Sequence, residues 1–577
     1  MSVLNFVQRF FALTSLDNRI QPKKNVISQP SKWNSLEFKI YIALCVLVVP
    51  NMFYTTIKAT SDYNNNYQSF SRLLSNGWLF GRKIDNSDQQ YSFFRNNFLL
   101  LSIVASAHVL LKKIMVDYII PGNNKILFDF VFGFIFLFVL HGINMIKILF
   151  LIGLLHGFTY IFIKQKQYKI GKAALFFFGV GTLFFNVKFR KWRYGDIVPV
   201  LAFMDKMFKG IVSRWDVFYN FMLLRVLSYE LDLLEVEQLF DLENKVNVSE
   251  DAIELIENPA KKIAKKKDIK LEPITNDIER MSYRHDIKQY NFVNQFAYLL
   301  YAPLLIAGPV VTFNDYLCQN KNSLPNSAKF KIVYLFRFLF CYLTMEVLLH
   351  YTYVVALSKF KAWENLSSYQ ISMIGLFNLN LIWLKLLIPW RFFRLWSLLD
   401  NMDPPENMLR CMSNNFSALQ FWRSWHRSFN KWVIRYIYIP LGGSKNRLLA
   451  SLCVFSFVAI WHDIELKLLL WGWMIVLFLI PEIFLSSFTY KLLGHKPQLY
   501  RLVTGAGCVV NVWLMMIANI FGFCLGTDGT KKFLNDLLYT SNGLIFFVVS
   551  SGCLFVAIQI MFEIREQEKR AGINAKC

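Results

Sequence analysis

The sequence lacks several common signatures, and each absence excludes a class of protein. There is no CxxC pair, and the cysteines are scattered, with Cys45, Cys341, Cys453 and Cys553 inside apolar runs. A disulfide framework or a thioredoxin-like or zinc-ribbon motif is therefore excluded, and the cysteines read as small core residues. Acidic residues are scarce, 39 against 63 Lys and Arg, which leaves a formal charge of +24. In a soluble protein that imbalance would suggest nucleic acid. Here no basic stripe is interleaved with stacking aromatics outside a membrane context, and the cations gather in loops and at the ends of apolar runs, so no nucleic-acid partner is expected. Strict apolar–polar alternation is missing, which excludes a β-barrel. Internal repeats of the kind that build many secondary transporters are also missing. Arg9 interrupts the apolar N-terminal stretch and no cleavage motif follows, so no cleaved signal peptide is expected.

Long apolar runs are plentiful. The chain is 55% hydrophobic, with a mean hydropathy of +0.34, and the runs reach bilayer-spanning length, which defines an all-α polytopic membrane protein. A polar tail to residue 39 precedes N-terminal membrane helices over 40–187, near Ile40–Thr56, Phe98–Leu111, Ile126–Ile143, Met145–Ile163 and Ala173–Val187. A core region over 188–485 holds further runs at Phe292–Val311, Val333–His350, Ile371–Ile388, Leu448–Trp461 and Leu468–Phe484. It is interrupted by a polar insert over 233–290, rich in both charge signs and expected to be a solvated cytoplasmic loop around KKIAKKK. A C-terminal region over 486–577 adds Val503–Phe523 and Leu544–Phe562. About eleven spans are expected, with re-entrant or interfacial helices besides.

Two segments place polar residues where lipid would penalise them. In FWRSWHRSFNKWVIRYIYIPLGGSKNR (Phe421–Arg447), a continuous helix would align Arg423, Arg427, Lys431 and Arg435 as one cationic stripe. Trp422, Trp425, Phe429 and Trp432 would form an aromatic face, with His426 and Asn430 projecting between the two. The spacing predicts an amphipathic helix in the membrane interface, ending before Pro440-Leu441-Gly442-Gly443. Such a helix beside a pocket could also hold a phosphate-bearing substrate. In VAIWHDIELKLLLWGW (Val458–Trp473), Asp463 and Lys467 would each cost about 3 kcal/mol against lipid at mid-bilayer. The chain is therefore expected to break near His462, lining protein or a wet cavity. An imidazole there suits proton transfer near neutral pH, although a satisfied structural histidine is the ordinary reading, since His108, His141, His156 and His350 also lie in or beside apolar runs.

Two histidines 36 positions apart, the first in WRSWHRS and the second in an apolar-Trp-His-Asp setting, resemble the membrane-bound O-acyltransferase (MBOAT) superfamily. YAPLLIAGPVVTFNDY, with Gly308-Pro309, resembles another element of that family. WLFGRKIDNSDQQY, RWDVFYNFMLLRVLSY, YQISMIGLFNLN, GGSKNR and MFEIREQEKR closely resemble the fungal glycerol-uptake (Gup) branch, so the likeness runs from about Asn34 to the end and leaves only Val246–Asp277 unmatched. The resemblance implies a helical core around a tunnel, where a cytosolic acyl-CoA meets an acceptor from the lumenal side. It places His462 at the family's catalytic histidine and His426 at the second, upstream position. Trp422, Arg423, Trp425, Arg427, Asn430, Trp461 and Asp463 are the residues expected around substrate. It further implies acyl-CoA as co-substrate with no resident cofactor or metal, and transfer of a very long-chain acyl group to the sn-2 hydroxyl of a lyso-GPI anchor. The acceptor would be a lyso-GPI-anchored protein or lyso-phospholipid in the endoplasmic reticulum membrane, with the plasma membrane as a second location. A proton-coupled glycerol or polyol transporter and a non-catalytic membrane regulator are the competing readings.

Overall fold

A computed structural model describes residues 28–120, 124–212, 214–246, 274, 276–322 and 327–572. The first helix, α1 (Leu36–Thr60), leads to a two-stranded hairpin, β1 (Leu74–Asn76) and β2 (Lys83–Asp85), paired Leu74↔Asp85, Ser75↔Ile84 and Asn76↔Lys83. Then come α2 (Phe98–Tyr118), α3 (Lys125–His141), α4 (Met145–Lys164), α5 (Tyr168–Phe189), α6 (Trp215–Val246) and the short α7 (Asp277–Ser282). A broken stretch follows, α8 (Phe292–Leu299), α9 (Ala302–Leu305) and α10 (Phe313–Lys321), before the long α11 (Ala328–Tyr351) and α12 (Ser368–Leu399). Two seven-residue helices, α13 (Ala418–Ser424) and α14 (Arg427–Val433), precede α15 (Arg447–His462), α16 (Leu466–Leu493), α17 (Pro497–Asn519), α18 (Gly526–Tyr539) and α19 (Ser541–Arg570).

Among the described residues nine helical runs are long and apolar enough to cross a membrane, fewer than the eleven or so expected. Lys125–Lys164 counts as one such run of 40 residues, about 60 Å if straight. A 3₁₀ turn at Gly142–Asn144 folds it into α3 and α4. Gly142 has φ 51°, and a Cβ on it would lie 2.0 Å from the Phe208 carbonyl oxygen, so only glycine fits there. Phe292–Val311, expected as one span, is instead broken into α8 and α9 around Tyr301 and Pro303. The helical part of Leu448–Trp461, α15, has 16 residues and falls below spanning length.

The polar insert also differs from expectation at both ends. Its first residues continue α6, with Leu233, Leu234 and Val236 buried. The charges have protein partners: Asp232, just before the insert, pairs with Arg435 at 2.8 Å, and Glu235 within it pairs with Arg284 at 2.7 Å. The end of the insert packs as well, with Arg280 buried against Asp315 at 2.6 Å. KKIAKKK and the Asn247 sequon lie outside the described residues.

The core sits on α12. Within its most apolar window 72% of residues are buried, against 6% for α1 and 11% for α19, so α12 is central and the other two are peripheral. Its C-terminal turns carry Arg391 and Arg394, both buried, whose charge is met by the following loop. Arg394 donates to the Pro404 carbonyl (2.8 Å), Asp403 (2.9 Å) and Glu406 (3.2 Å), and the Tyr334 hydroxyl donates to Glu406 (2.8 Å). Unpaired, such buried charges would be strongly destabilising; paired, they fix where the loop lies.

The two faces of the bundle can be traced through these contacts. Gln29 donates to Glu566 at 2.9 Å and Arg501 to Glu37 at 2.6 Å, so α1 begins on the face where α19 ends and α17 begins. On the opposite face Asn66 donates to the Glu364 carbonyl (3.3 Å), and Lys361 pairs with Asp528 (2.7 Å).

Candidate active site

The site begins with a break that the sequence pattern hides. The expected continuous helix from Phe421 is divided: Trp425 is extended at the end of α13, and His426 has φ 47°, in the left-handed region. For a histidine this costs on the order of 1–3 kcal/mol and persists only where surrounding structure holds it. The holding group is Asn407, on the loop pinned by Arg391 and Arg394. Its carbonyl accepts from the Arg427 N–H (2.9 Å) and its side-chain oxygen from the Ser428 N–H (3.1 Å). The buried arginines thus fix Asn407, and Asn407 fixes the bend that aims His426.

The cationic stripe dissolves with that break. Arg427 and Lys431 both pair with Asp277 of α7, Arg427 at 3.5 Å, while Arg435 turns to Asp232 and Glu235 of α6. Phe429, Trp432 and Val433 are buried, and Trp432 donates to the Leu224 carbonyl at 2.9 Å. Helix α14 is therefore a core element wedged against α6, not an interfacial helix with its cations on lipid phosphates.

The break expected near His462 is present. His462 is the last residue of α15, Asp463 is extended, and α16 begins at Leu466. Trp461 is fixed by a reciprocal pair of hydrogen bonds, its indole N–H to the Asn220 carbonyl (2.7 Å) and the Asn220 side-chain amide to the Trp461 carbonyl (3.1 Å). That anchors the end of α15 to α6 and sets the position of the next residue, His462.

The two histidines line one cavity of about 970 Å³. An aromatic stack runs between them. The His426 ring lies on Trp390 (4.4 Å between centroids) and Phe429 (5.1 Å), Phe429 stacks on Trp461 (4.7 Å), and Trp461 meets the His462 ring edge-on (4.8 Å). His426 Nε2 is buried without a hydrogen-bond partner among the described residues, and the His462 ring makes no hydrogen bond to them. Both imidazoles therefore have hydrogen-bonding capacity to offer a molecule in the cavity. The lining runs from Tyr438 and Arg447 to Gln90 and Asn97. Arg447 starts α15, whereas Gln90 lies two residues from Asp88, which pairs with Lys385 near the middle of α12 (2.6 Å), so the lining runs from the start of α15 to mid-depth along α12.

Of the residues expected around substrate, Trp422, Arg423, Trp425, Asn430 and Trp461 line this cavity with the histidines. Arg427 and Asp463 do not. Arg427 is held away by Asp277, and the Asp463 carboxylate, exposed, accepts from the Ile464 N–H at 2.9 Å. Glu465 and Lys467 are exposed. Residues that the sequence reading passed over include Trp390, Asn220 and Asn407, which hold the site as described, and Glu482. The Glu482 carboxylate, inside α16, accepts from the Ser417 hydroxyl, the Leu419 N–H (3.2 Å) and Asn511 (2.9 Å), tying the start of α13 to α16 and α17. A carboxylate within an apolar run was the available signal, since lipid would penalise it.

A multi-pass helical membrane protein with a pair of histidines on an internal cavity is the class these features define. Residues 172–527 match the family model of MBOAT, the membrane-bound O-acyltransferase family. The chain is 50% identical to the membrane-bound O-acyltransferase GUP1 of Saccharomyces cerevisiae over the full length of both, and 36% identical to the gup1 protein of Schizosaccharomyces pombe over 96% of this chain and 92% of that one. It is 31% identical to the protein-cysteine N-palmitoyltransferase HHAT of Mus musculus over 30% of this chain and 37% of that one. The chain belongs to the membrane-bound O-acyltransferase family, in its fungal Gup branch, and is an O-acyltransferase embedded in a membrane.

Proposed function

We propose that this O-acyltransferase moves a very long-chain fatty acyl group from acyl-CoA to the sn-2 hydroxyl of a lyso-GPI anchor, in the endoplasmic reticulum membrane, with His462 as general base. The observation that supports it best is the position of His462: at a helix end, on the cavity it shares with His426, with a ring free to take a proton. In this reading the acceptor oxygen attacks the thioester carbonyl as His462 Nδ1 or Nε2 takes its proton. The C–S bond then breaks, the new ester bond remains, and the proton passes to the departing CoA thiolate. His426, whose Nε2 faces no protein partner, donates to the carbonyl oxygen as charge develops on it or orients the acyl donor. Trp422, Trp425 and Trp461 shape the acyl passage, while Arg423 and Asn430 meet the polar part of a substrate. Very long-chain specificity and the lyso-GPI acceptor rest on the likeness to the Gup branch.

Purified protein in lipid nanodiscs tests this directly. Free CoA should be released from a very long-chain acyl-CoA only when a lyso-GPI lipid is supplied, with the acyl group recovered on that lipid. Release at the same rate without acceptor, or transfer to every lyso-phospholipid equally, would sink the specific reading.

A further inference from the structure

A second large cavity, of about 1010 Å³, lies among α1, α12, α17 and α19, outside the histidine chamber. Along α19 its lining begins at Asn542 and ends at Met561, about 28 Å of helix against a bilayer hydrocarbon core of about 30 Å. The cavity therefore extends over nearly the whole apolar thickness. Three of its lining residues, Leu47, Ile545 and Val549, are 72%, 63% and 59% exposed, so it opens through the side of the bundle. That side faces hydrocarbon, because α1 and α19 are the least buried of the spans. Midway along α19, Gly552 lines the cavity, and a Cβ on it would meet nothing within 4 Å. Its missing side chain leaves part of the space empty.

The inner wall is shared. Leu379, Met412, Phe421 and Asn519 line both this bay and the chamber of His426 and His462. Only a partition one side chain thick separates them, and Phe421 belongs to α13, next to the bend at His426. The outer wall has a different origin. Helices α1 and α19 both lie outside residues 172–527, the part matched by the family model, so the bay is completed by segments that the common family core does not supply.

We propose that this bay seats a hydrocarbon chain of the lipid acceptor and passes the acceptor to the histidine chamber across the Leu379–Met412–Phe421 partition. The proposal rests on the acyl-transfer reading above. The chemistry favours the acceptor over the donor. A lyso-lipid is already anchored in the bilayer by its chain and can enter sideways, whereas a CoA thioester carries a highly charged head group that must enter from water. The lining is mostly apolar, suited to hydrocarbon and to no ion.

Photolabelling of the full-length protein in nanodiscs tests the bay separately from catalysis. Two probes are used, lyso-phosphatidylinositol with a diazirine in its acyl chain and an acyl-CoA with a diazirine in its acyl chain. The lyso-lipid probe should label peptides of α1 and α19, and Gly552→Trp should lower that labelling at least ten-fold and raise the KM for lyso-lipid acceptor by a similar factor. Labelling of α15 by the acyl-CoA probe serves as the folding control, and Ala557→Phe, on the same lining, replaces Gly552→Trp if that variant does not fold. Lyso-lipid labelling confined to the histidine chamber, labelling unchanged in the filled variants, or labelling of α1 and α19 by the acyl-CoA probe would each overturn the proposal. A wild-type protein that transfers no acyl group yet labels at α1 and α19 would refute the catalytic reading and leave the bay standing as a lipid site.

Discussion

His462 and His426 differ in how their rings are held, and their substitutions should differ accordingly. The His462 ring touches Trp461 edge-on and is otherwise offered to the cavity. General-base action is worth roughly 10²–10⁴-fold, so His462→Ala should lose at least 10²-fold in acyl transfer with insertion and melting temperature unchanged. Wild-type turnover in that variant would end its assignment as base. His426 carries two jobs, one chemical and one conformational, because it occupies the left-handed bend. Asn tolerates that region better than most residues and β-branched residues tolerate it worst. His426→Asn should therefore keep the protein folded while reducing kcat, and His426→Val should lower the melting temperature as well. Equal melting temperatures for the two would show that the bend at His426 is not strained. The break at His462 was legible from sequence because Asp463 and Lys467 inside apolar sequence are costly against lipid, whereas the role of the two histidines came only from the family resemblance. The bend was not, since its cause is Asn407, a residue with no periodic relation to the helix it interrupts.

At the scale of elements, the decisive contacts join segments far apart in the chain. The pattern at Arg423, Arg427, Lys431 and Arg435 is compatible with a lipid-facing stripe, and only the fold supplies Asp277, Asp232 and Glu235 as partners for the last three. The same reasoning explains why the ends of the polar insert were misread as solvated loop: their charges satisfy one another across α6, α7 and α14. The Asp277 cluster has one carboxylate between two cations. Burial alone would raise the Asp277 carboxyl, but Lys431 and Arg427 outweigh it and hold it below its ordinary 3.8. Lys431, half-buried and beside Arg427, is in turn pushed down to about 8 by its desolvation and by that like charge. For a carboxyl depressed in the folded state, the stabilisation is present above the unfolded pKa and is lost as pH falls through the folded one. Asp277→Asn should therefore lower the melting temperature at pH 5–7, and the gap from wild type should close as pH drops below about 4. A gap that stays constant down to pH 3 would mean that the carboxylate contributes nothing through its charge.

For the whole molecule, the number of apolar runs was easier to read than which of them cross, because Phe292–Val311 is broken by local geometry and α15 is short. The tracing of faces nevertheless fixes the topology up to one choice. Asn365 lies on the Asn66–Glu364 face, where it is exposed in a left-handed turn, whereas Asn415 lies near the opposite face, beside Asn414, which Arg565 of α19 holds at 2.6 Å. Glycosylation requires the lumenal side, so the two sequons cannot both be modified. Loop cations bear on the remaining choice. Lys164, Lys166, Lys169 and Lys172 crowd the short connection from α4 to α5, on the face where Tyr168 donates to Asp241 near the end of α6 (2.6 Å) and where α1 begins. Positive charge in short loops marks the cytoplasmic side, so Asn365 is expected on the non-cytoplasmic side and Asn415 toward the cytoplasm. Asn365→Gln should abolish an endoglycosidase-sensitive mobility shift and Asn415→Gln should leave it intact; the reverse pattern would invert the topology. With this orientation Tyr438 and Arg447 mark the cytoplasmic end of the histidine chamber, so a water-soluble donor would approach His462 from that side.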